Sequence, residues 1–241
     1  NIMLEPIASA KAVLEEQERE GGVVLVDIGG GTTDIAIIKD DIVRHTCVIP
    51  FGGEAITEDL KNGLSLLKDE AEICKLNYGN AIPADVNPND VIAFQAMKNF
   101  PTREFSLKAI SEIISARLTE ILETVNYEIN LSQISTPLIA GIVLTGGGSL
   151  IKNTTQLASY ITGMTARIGS PNHLLSHDTP NTLLSPQYST VIGLLLNAIE
   201  NDKYKFSQNN KLNDTKIAAP QEKKEKKRKF DIFGNLSNFF D

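Results

Sequence analysis

The sequence lacks the features that mark several large classes of protein. Its two cysteines, Cys47 and Cys74, are too few for a disulfide framework and fit a reducing compartment. It has no apolar run of about 18 residues, which excludes a membrane-spanning helix. No basic and apolar leader opens it, so we expect no export signal. Lys and Arg number 23 against 30 Asp and Glu, and this net charge of −7 disfavours a nucleic-acid-binding protein with a broad basic face. A helical pattern is already under way at Asn1, so we expect the chain to begin inside a longer protein.

What the chain contains is enough for a hydrophobic core, since 41% of its 241 residues are hydrophobic. Over residues 22–49 helical spacing gives way to apolar runs separated by glycines and a polar turn, which predicts three strands in an antiparallel meander. Residues 138–148 form another apolar run that ends in glycines. Helical spacing predicts helices over the ranges 3–18, 53–68, 69–76, 106–130, 149–162 and 186–201.

The order of these elements predicts the domain organisation. Residues 1–202 should form an α/β lobe with a mixed sheet and flanking helices, with a smaller α+β subdomain at about 54–137. The range 203–229 is polar and aperiodic, which predicts a disordered linker. It ends in QEKKEKKRK (221–229), a block with six Lys or Arg and two Glu whose partner should be anionic.

The segment DIGGGTTD, residues 27–34, is the first candidate for chemistry. Without a Cβ, its three glycines allow successive backbone amides to surround an anion, which predicts a phosphate-binding bend. The hydroxyls of Thr32 and Thr33 would add donors, and the two aspartates suit a phosphate that carries Mg²⁺. A hairpin that needs glycines only for a tight turn is the alternative, which the flanking aspartates and threonines disfavour.

Other phosphate-binding motifs are absent, but a second glycine bend is present. No GxxxxGK[ST] loop occurs. Asp34 stands where a dinucleotide fingerprint beginning at Gly29 needs its third glycine, and a strand follows instead of a helix. A second bend, TGGGS (145–149), lies between an apolar run and a helical pattern, where helix N-terminal amides would also face an anion. Two such bends predict one site for a phosphorylated ligand.

Five segments of the chain carry a family pattern. They are LEPIASAKAVL (4–14), PFGGEAITEDL (50–60), AEICKLNYGNA (71–81), AGIVLTGGGSLI (140–151) and YSTVIGLLL (188–196). In this order, and with DIGGGTTD and LTGGG as its second phosphate motif and adenosine motif, the chain resembles the actin-like ATPases. Within them it is most similar to the FtsA family of bacterial cell-division proteins. The resemblance implies an actin-like (ribonuclease H-like) ATPase lobe with ATP and Mg²⁺ as ligands.

The resemblance also implies roles for individual residues. The first bend would hold phosphates, the second would lie against the adenosine, and a Glu-x-x-Lys pair on one helix face would meet the ribose and adenine. The candidate nucleotide-binding residues are Gly29, Gly30, Gly31, Thr32, Thr33, Gly53, Glu72, Lys75, Gly146, Gly147 and Gly148. Asp27 is the candidate catalytic residue, placed near Mg²⁺ and the attacking water. From spacing alone, Glu72 and Lys75 are equally compatible with an ordinary surface ion pair.

In the actin-like superfamily an N-terminal half supplies the first phosphate loop and the other wall of the cleft, and this sequence does not contain it. We therefore expect this chain alone to bind ATP with a Kd above about 0.1 mM, which limits the binding free energy to roughly 5.5 kcal/mol. Any hydrolysis should be slow. The alternatives are a sugar or small-molecule kinase, which needs a base aimed at an acceptor hydroxyl, and a pilus-assembly adaptor.

The range 230–241 regains a helical pattern, with apolar side chains at spacings of three and four. Such a helix is marginal in water, but its apolar face suits a bilayer surface beside the basic block. Docking onto the body of the protein is the alternative. The resemblance to FtsA implies a membrane-targeting helix here. The candidate membrane-binding residues are Phe230, Ile232, Phe233, Leu236, Phe239 and Phe240.

The resemblance implies a membrane-tethered protein that polymerises and holds filaments of the tubulin-like FtsZ to the cytoplasmic face of the membrane at the division septum. Its implied partners are the FtsZ C-terminal peptide, further copies of itself and an anionic membrane surface, with no nucleic acid. On the predicted helix 106–130, Arg117 and Glu120 are the candidate contacts to the FtsZ peptide. A solvated charge pair on an exposed face is the alternative for them.

Overall fold

Seven α-helices and seven strands make up the part of the chain that the computed structural model describes. That part is residues 2–94, 102–134, 136–171, 175–176 and 178–214, with side chains up to residue 201. The helices are α1 Glu5–Val13, α2 Glu16–Gly21, α3 Gly53–Leu64, α4 Lys68–Tyr78, α5 Leu107–Leu131, α6 Thr154–Thr162 and α7 Ser189–Asp214. The strands are β1 Val23–Ile28, β2 Thr33–Lys39, β3 Ile42–Ile49, β4 Val91–Phe94, β5 Arg103–Ser106, β6 Gly141–Thr145 and β7 Ala166–Ile168.

Five strands form one mixed sheet in the order β3-β2-β1-β6-β7. β1, β2 and β3 are antiparallel neighbours, whereas β1, β6 and β7 run parallel. Every residue of β1 and β6 is buried, as expected for strands that are covered on both faces. The meander predicted for residues 22–49 and the α/β fold with a mixed sheet are confirmed.

Helices cover both faces of this sheet. Successive residues of a strand point to opposite faces, and β1 divides accordingly between two hydrophobic clusters. Val24, Val26 and Ile28 pack in one cluster with residues of α3, α5 and α6. Val23 and Leu25 pack in the other with residues of α1 and α7. The sheet is therefore the middle of three layers, and the carboxyl ends of its parallel strands form the edge where ligands of such folds bind.

The helix predicted at 106–130 is confirmed as α5. The Ser106 hydroxyl accepts a hydrogen bond from the Lys108 amide (3.2 Å) and caps its start. The buried face repeats at three and four residues, from Ile110 through Val125. The range 54–137 also contains α3, α4 and the two-stranded β4–β5 sheet. That this range forms a separate subdomain stays a prediction.

Near two predicted helices the backbone departs from helical geometry. The predicted helix 3–18 is divided into α1 and α2, because Leu14 has an extended backbone and packs into the core. The Glu15 amide then donates to the Glu18 carboxylate (2.9 Å), a capping contact that starts α2. The predicted helix 149–162 begins only at Thr154, because Asn153 has a left-handed backbone with φ 64°.

α7 is longer than the sequence predicts. The prediction of a disordered linker from Lys203 onward is wrong as far as Asp214, over a stretch without glycine or proline to end the helix. Ile192 is buried, whereas Val191 and Leu194 on the opposite side are exposed. The rest of the predicted linker and the predicted helix at 230–241 lie outside the described residues. No described helix is both long enough and apolar enough to cross a membrane.

Candidate functional site

The two glycine bends leave the same edge of the sheet. β1 and β6 are parallel neighbours, with Asp27 opposite Thr145. The segments Gly29–Gly31 and Gly146–Gly148 therefore emerge side by side from the carboxyl ends of these strands, as the sequence predicts for a single site. Ligands of open α/β sheets bind at this position.

A cavity of about 270 Å³ lies between the bends. Its lining combines glycines from both bends, the predicted Glu-x-x-Lys pair and several aliphatic side chains. The lining residues are Gly29, Gly30, Gly53, Glu72, Lys75, Leu76, Gly79, Gly147, Gly148, Leu150, Ile151 and Gln187. Such a combination suits a ligand with one charged end and one apolar end.

Hydrogen bonds fasten the first bend to the start of α3. The Gly29 amide donates to the Thr32 carbonyl (2.9 Å), which closes the bend on itself. The amides of Gly53 and Glu54 donate to the carbonyls of Gly29 and Gly30, both at 2.8 Å. Within the described residues the Gly30 amide makes no hydrogen bond. It is therefore available to an anion in the cavity.

The second bend approaches β1 so closely that it requires glycine. Gly146 has φ +79° and ψ 172°, a backbone region that is essentially restricted to glycine. Its amide donates to the Pro186 carbonyl (3.2 Å). A Cβ on Gly148 would overlap the Ile28 side chain. A 3₁₀ turn, Gly147–Leu150, follows in place of the predicted α-helix, so the amides at this end of the cavity belong to that turn.

Glu72 and Lys75 form part of a network at the contact between α3 and α4. Lys75 Nζ lies 2.7 Å from Glu72 Oε2 and donates to Thr57 Oγ1 (2.8 Å) and to the Gly53 carbonyl (3.0 Å). Thr57 in turn donates to the Glu72 carboxylate (2.5 Å). Burial raises the pKa of Glu72, but the hydrogen bonds from Lys75 and Thr57 outweigh it, and the net pKa is lowered. Since the Lys75 side chain is only 11% exposed, the pair is a fixed part of the cavity wall.

Three carboxylates gather beside the first bend. Asp27 and Asp34 face each other across β1 and β2, and each is 5% exposed. Burial raises the pKa of Asp27, hydrogen bonds from Ser9 and Thr190 lower it, and Asp34 raises it, for a net rise. The pKa of Glu5, at the start of α1, is raised by burial and by the charges of Asp34 and Asp27. Sequence reasoning missed Glu5, because no local pattern places the start of α1 beside β1.

These carboxylates fit a Mg²⁺ ion that the protein holds indirectly. No three His, Cys, Asp or Glu side chains among the described residues are arranged to hold a metal ion. Mg²⁺ in nucleotide sites keeps several waters and takes one or two carboxylates together with phosphate oxygens. Asp27 and Asp34, beside the first bend, supply carboxylates of this kind.

Replacing Asp27 with asparagine should stabilise the fold at neutral pH. Because the folded-state pKa of Asp27 lies above its unfolded value, the ionised carboxylate is less favourable in the folded chain, and this penalty applies above the folded pKa. Relief of such strain at functional sites typically gains about 0.5–2 kcal/mol. Urea unfolding at pH 7 measures the gain.

The same experiment has a pH control and a matched variant. The gain should disappear as the pH falls below 3.8, where the wild-type carboxyl is protonated in both states. Asp41→Asn removes an exposed carboxylate that pairs with Arg19 and should give no gain. Equal stability of wild type and Asp27→Asn at pH 7 would contradict the claim that the fold disfavours the ionised Asp27 carboxylate.

Some of the predicted nucleotide-binding residues lie outside the cavity lining, namely Gly31, Thr32, Thr33 and Gly146. The Thr33 hydroxyl is buried and donates to the Phe51 carbonyl (2.9 Å). The Thr32 hydroxyl donates to the Asp34 carboxylate (2.9 Å). Both hydroxyls therefore have partners within the protein, and their roles toward a ligand stay predictions.

Sequence reasoning also missed the apolar part of the lining. Leu76 follows Glu72 by four positions and so shares its helix face, which is a signal that the sequence does contain. Leu150 and Ile151 come directly after the second bend. Gln187 belongs to the turn before α7, and no local pattern indicates that this turn reaches the cavity.

Arg117 on α5 is bound to α3. Its guanidinium contacts both oxygens of Asp59 (2.6 and 2.9 Å) and also contacts Glu120. The hydrogen bond to Asp59 is the main cause of the raised pKa of Arg117. The Glu120 side chain is 56% exposed and accessible to a partner. Roles for Arg117 and Glu120 in partner binding stay predictions.

The predicted membrane-binding residues lie outside the described residues. They are Phe230, Ile232, Phe233, Leu236, Phe239 and Phe240.

Known sequences identify relatives over most of the chain. The sequence model of the family described as Cell division protein FtsA matches residues 24–193. The chain is 40% identical over 195 residues to Cell division protein FtsA of Neisseria meningitidis serogroup B, covering 80% of this chain and 47% of that protein. It is 36% identical over 196 residues to that of Escherichia coli K12, covering 78% of this chain and 46% of that protein. The chain thus spans about half the length of the curated relatives it matches.

Solved structures with a similar fold are actin-like proteins. MreB5 of Spiroplasma citri bound to ADP has a TM-score of 0.66 at 19% identity, covering 84% of this chain and 61% of that chain. The PilM–PilN type IV pilus biogenesis complex has a TM-score of 0.59 at 17% identity, covering 82% and 52%. These likenesses establish an actin-like fold. With a family match that covers most of its length, the chain belongs to the FtsA family of cell division proteins.

Proposed function

We propose that this chain is the nucleotide-binding lobe of a membrane-tethered cell-division protein. It binds ATP with Mg²⁺, polymerises, and anchors FtsZ filaments to the cytoplasmic face of the membrane at the septum. Residues 1–202 form the lobe, with a subdomain at about 54–137, and residues 230–241 form the membrane-binding helix. Nucleotide acts mainly as an assembly ligand, and any hydrolysis is slow.

The convergence of the two glycine bends on one cavity carries the nucleotide part of this proposal. The Gly30 amide and the turn that begins at Gly147 offer backbone donors to phosphate oxygens. The Glu72 carboxylate on the cavity wall suits a ribose hydroxyl, and the aliphatic side chains of Leu76 and Ile151 suit a base. ATP supplies the phosphoryl group that hydrolysis would release. Asp27, held beside the first bend, is the residue we assign to orient the attacking water.

The two alternative functions have less support. A sugar or small-molecule kinase requires a base aimed at an acceptor hydroxyl. Burial raises the pKa of Glu72, the carboxylate in the cavity lining, but the hydrogen bonds from Lys75 and Thr57 outweigh it, so the net pKa is lowered and Glu72 is a weak base. A pilus-assembly adaptor draws on the PilM likeness at 17% identity, against 40% for the FtsA relative. Capture of this chain on immobilised FtsZ C-terminal peptide separates the proposal from both alternatives, since neither predicts that it binds.

A charge placed in the cavity should weaken ATP binding. A Cβ on Gly30 would meet nothing within 4 Å, so Gly30→Asp should fold while its carboxylate opposes the phosphates. Two like charges at about 4 Å repel by roughly 1–4 kcal/mol near a protein surface. We therefore expect binding at least about fivefold weaker. Titration with a fluorescent ATP analogue and Mg²⁺ into the millimolar range measures it.

Gly163→Asp is the matched control for this measurement. Gly163 ends α6 away from the cavity, and a Cβ there would also meet nothing within 4 Å. Its left-handed backbone, φ +71°, is one that aspartate tolerates. The control should bind the analogue as the wild type does. Equal binding by Gly30→Asp and wild type would place the nucleotide elsewhere and contradict the proposal.

The membrane part of the proposal predicts that Phe233→Asp together with Phe239→Asp releases the chain from anionic liposomes. A fully buried Phe contributes about 1.5–3 kcal/mol, so even partial burial of both rings in the headgroup region predicts at least a tenfold loss. Liposome flotation measures it, with Asn235→Asp and Asn238→Asp on the polar side of the pattern as the charge-matched control. Unchanged flotation of the Phe variant would rule out residues 230–241 as the anchor.

A further inference from the structure

α1 and α7 cross next to Asp27, near the end of β1. At the crossing the two helix backbones touch, because a Cβ on Gly193 would overlap the carbonyl of Ala8. Beside this contact lie two hydroxyls, Ser9 Oγ from α1 and Thr190 Oγ1 from α7, at 2.9 Å from each other. Ser9 is fully buried. Buried hydroxyls at such a close contact between helices are expected to have hydrogen-bond partners.

The partner of both hydroxyls is Asp27. Ser9 donates to Asp27 Oδ2 at 2.6 Å, and Thr190 Oγ1 lies 3.3 Å from the same oxygen. Each hydroxyl has one proton to donate. Thr190 therefore donates either to Asp27 directly or to Ser9, and Ser9 donates to Asp27 in both cases. No Lys or Arg pairs with Asp27 among the described residues. The orientation of this buried carboxylate therefore depends on these two hydroxyls.

The start of α7 is also fastened to the second glycine bend. The Pro186 carbonyl accepts from the Gly146 amide (3.2 Å) and from the Ser189 hydroxyl (2.8 Å). The hydroxyls of Ser189 and Thr145 lie 2.6 Å apart. Within one turn, α7 thus contacts the strand that leads to the second bend and, through Thr190, the strand that leads to the first. α7 is 26 residues long in all, about 39 Å at 1.5 Å per residue.

We propose that Ser9 and Thr190 are positioning residues, which hold the Asp27 carboxylate beside the phosphate-binding bends. Through them, ligand binding in the cavity is coupled to the packing of α7 against α1. This rests on the proposed nucleotide-binding function. A ligand that reorients Asp27 must change its bonds to both hydroxyls and therefore the contact between α1 and α7. Because such coupling is reciprocal, a displaced α7 must also change the site.

Hydrogen exchange of the 241-residue chain with and without millimolar AMPPNP and Mg²⁺ tests the coupling. In the wild type, exchange should slow in both glycine bends and also in residues 189–196, the latter by at least about fivefold, the lower end of usual coupling. In Ser9→Ala combined with Thr190→Val, the bends should still respond, while the response of residues 189–196 should fall to less than about twofold. Thr124→Val, which removes a hydroxyl from α5, should behave as the wild type.

Thr190→Ser guards the test against a folding defect. Serine keeps the hydroxyl of threonine but lacks its methyl group. Thr190→Ser should therefore keep the response of α7, whereas a response that depends on packing would be lost. Full response of α7 in the double variant would overturn the inference. So would bends that respond in the wild type while residues 189–196 do not, and that result would leave the proposed nucleotide site intact. If neither bend responds in the wild type, the proposed function fails, and the coupling fails with it.

Discussion

Gly146→Ala should lower the free energy of unfolding by about 2–6 kcal/mol. The backbone at φ +79° and ψ 172° costs about 1–3 kcal/mol for a residue with a side chain. The new Cβ would also lie 2.5 Å from the Ile28 carbonyl and closer still to the Asp27 carboxylate. Both belong to β1, which is buried throughout and cannot yield easily, so overpacking adds about 1–3 kcal/mol.

Gly163→Ala separates the steric part of this effect from the backbone part. Gly163 also has a positive φ, +71°, but a Cβ there would meet nothing within 4 Å. Its replacement should cost only the left-handed backbone penalty of about 1–2 kcal/mol. The free energies of unfolding of the two variants, measured in urea, should therefore differ by the overpacking part, about 1–3 kcal/mol. A similar loss at both positions would mean that the second bend does not press against β1.

Gly52→Ala should disconnect α3 from the first bend. The new Cβ would lie 2.5 Å from the Gly29 carbonyl, 2.7 Å from that of Thr32 and 3.0 Å from that of Gly30. All three are backbone atoms, so α3 must move away and lose the hydrogen bonds from its first two amides to the bend. Overpacking of about 1–3 kcal/mol and about 1 kcal/mol for each of the two lost hydrogen bonds predict a loss of roughly 3–5 kcal/mol.

Gly31→Ala is the control for this variant within the same bend. A Cβ on Gly31 would meet nothing within 4 Å, and its backbone does not have a positive φ. Such a replacement is neutral or stabilises by about 0.4–1 kcal/mol, because alanine has less freedom in the unfolded chain. Thermal unfolding should rank Gly52→Ala far below both the wild type and Gly31→Ala. Equal midpoints for the two variants would show that α3 is not held by the bend.

The features that the sequence predicts well are those that local patterns determine. The strands β1, β2 and β6 contain the apolar runs VVLV, IAII and IVL, and glycines mark where β1 and β6 end. Since both bends follow strands of one parallel pair, their convergence required no knowledge of packing beyond that pairing. α5 was predictable for the same reason, because its apolar repeat and its Ser106 cap are both local.

The features that the sequence does not predict depend on contacts between distant segments. Ser9 and Thr190 are 18 and 163 positions from Asp27, and only the crossing of α1 and α7 brings them together. The Thr33 hydroxyl donates to the Phe51 carbonyl, a partner that the sequence does not indicate. The length of α7 was underestimated because polar residues beyond 203 carry no apolar repeat, although nothing in them ends a helix.

Amide NMR spectra of the ¹⁵N-labelled chain, titrated with AMPPNP and Mg²⁺, test the central claim most directly. The claim is that both glycine bends bind one polyphosphate-bearing ligand. It predicts that the resonances of Gly29–Gly31 and of Gly147–Gly148 shift together and give a single Kd. Shifts at one bend alone, two distinct affinities for the two bends, or shifts confined to other parts of the chain would contradict it.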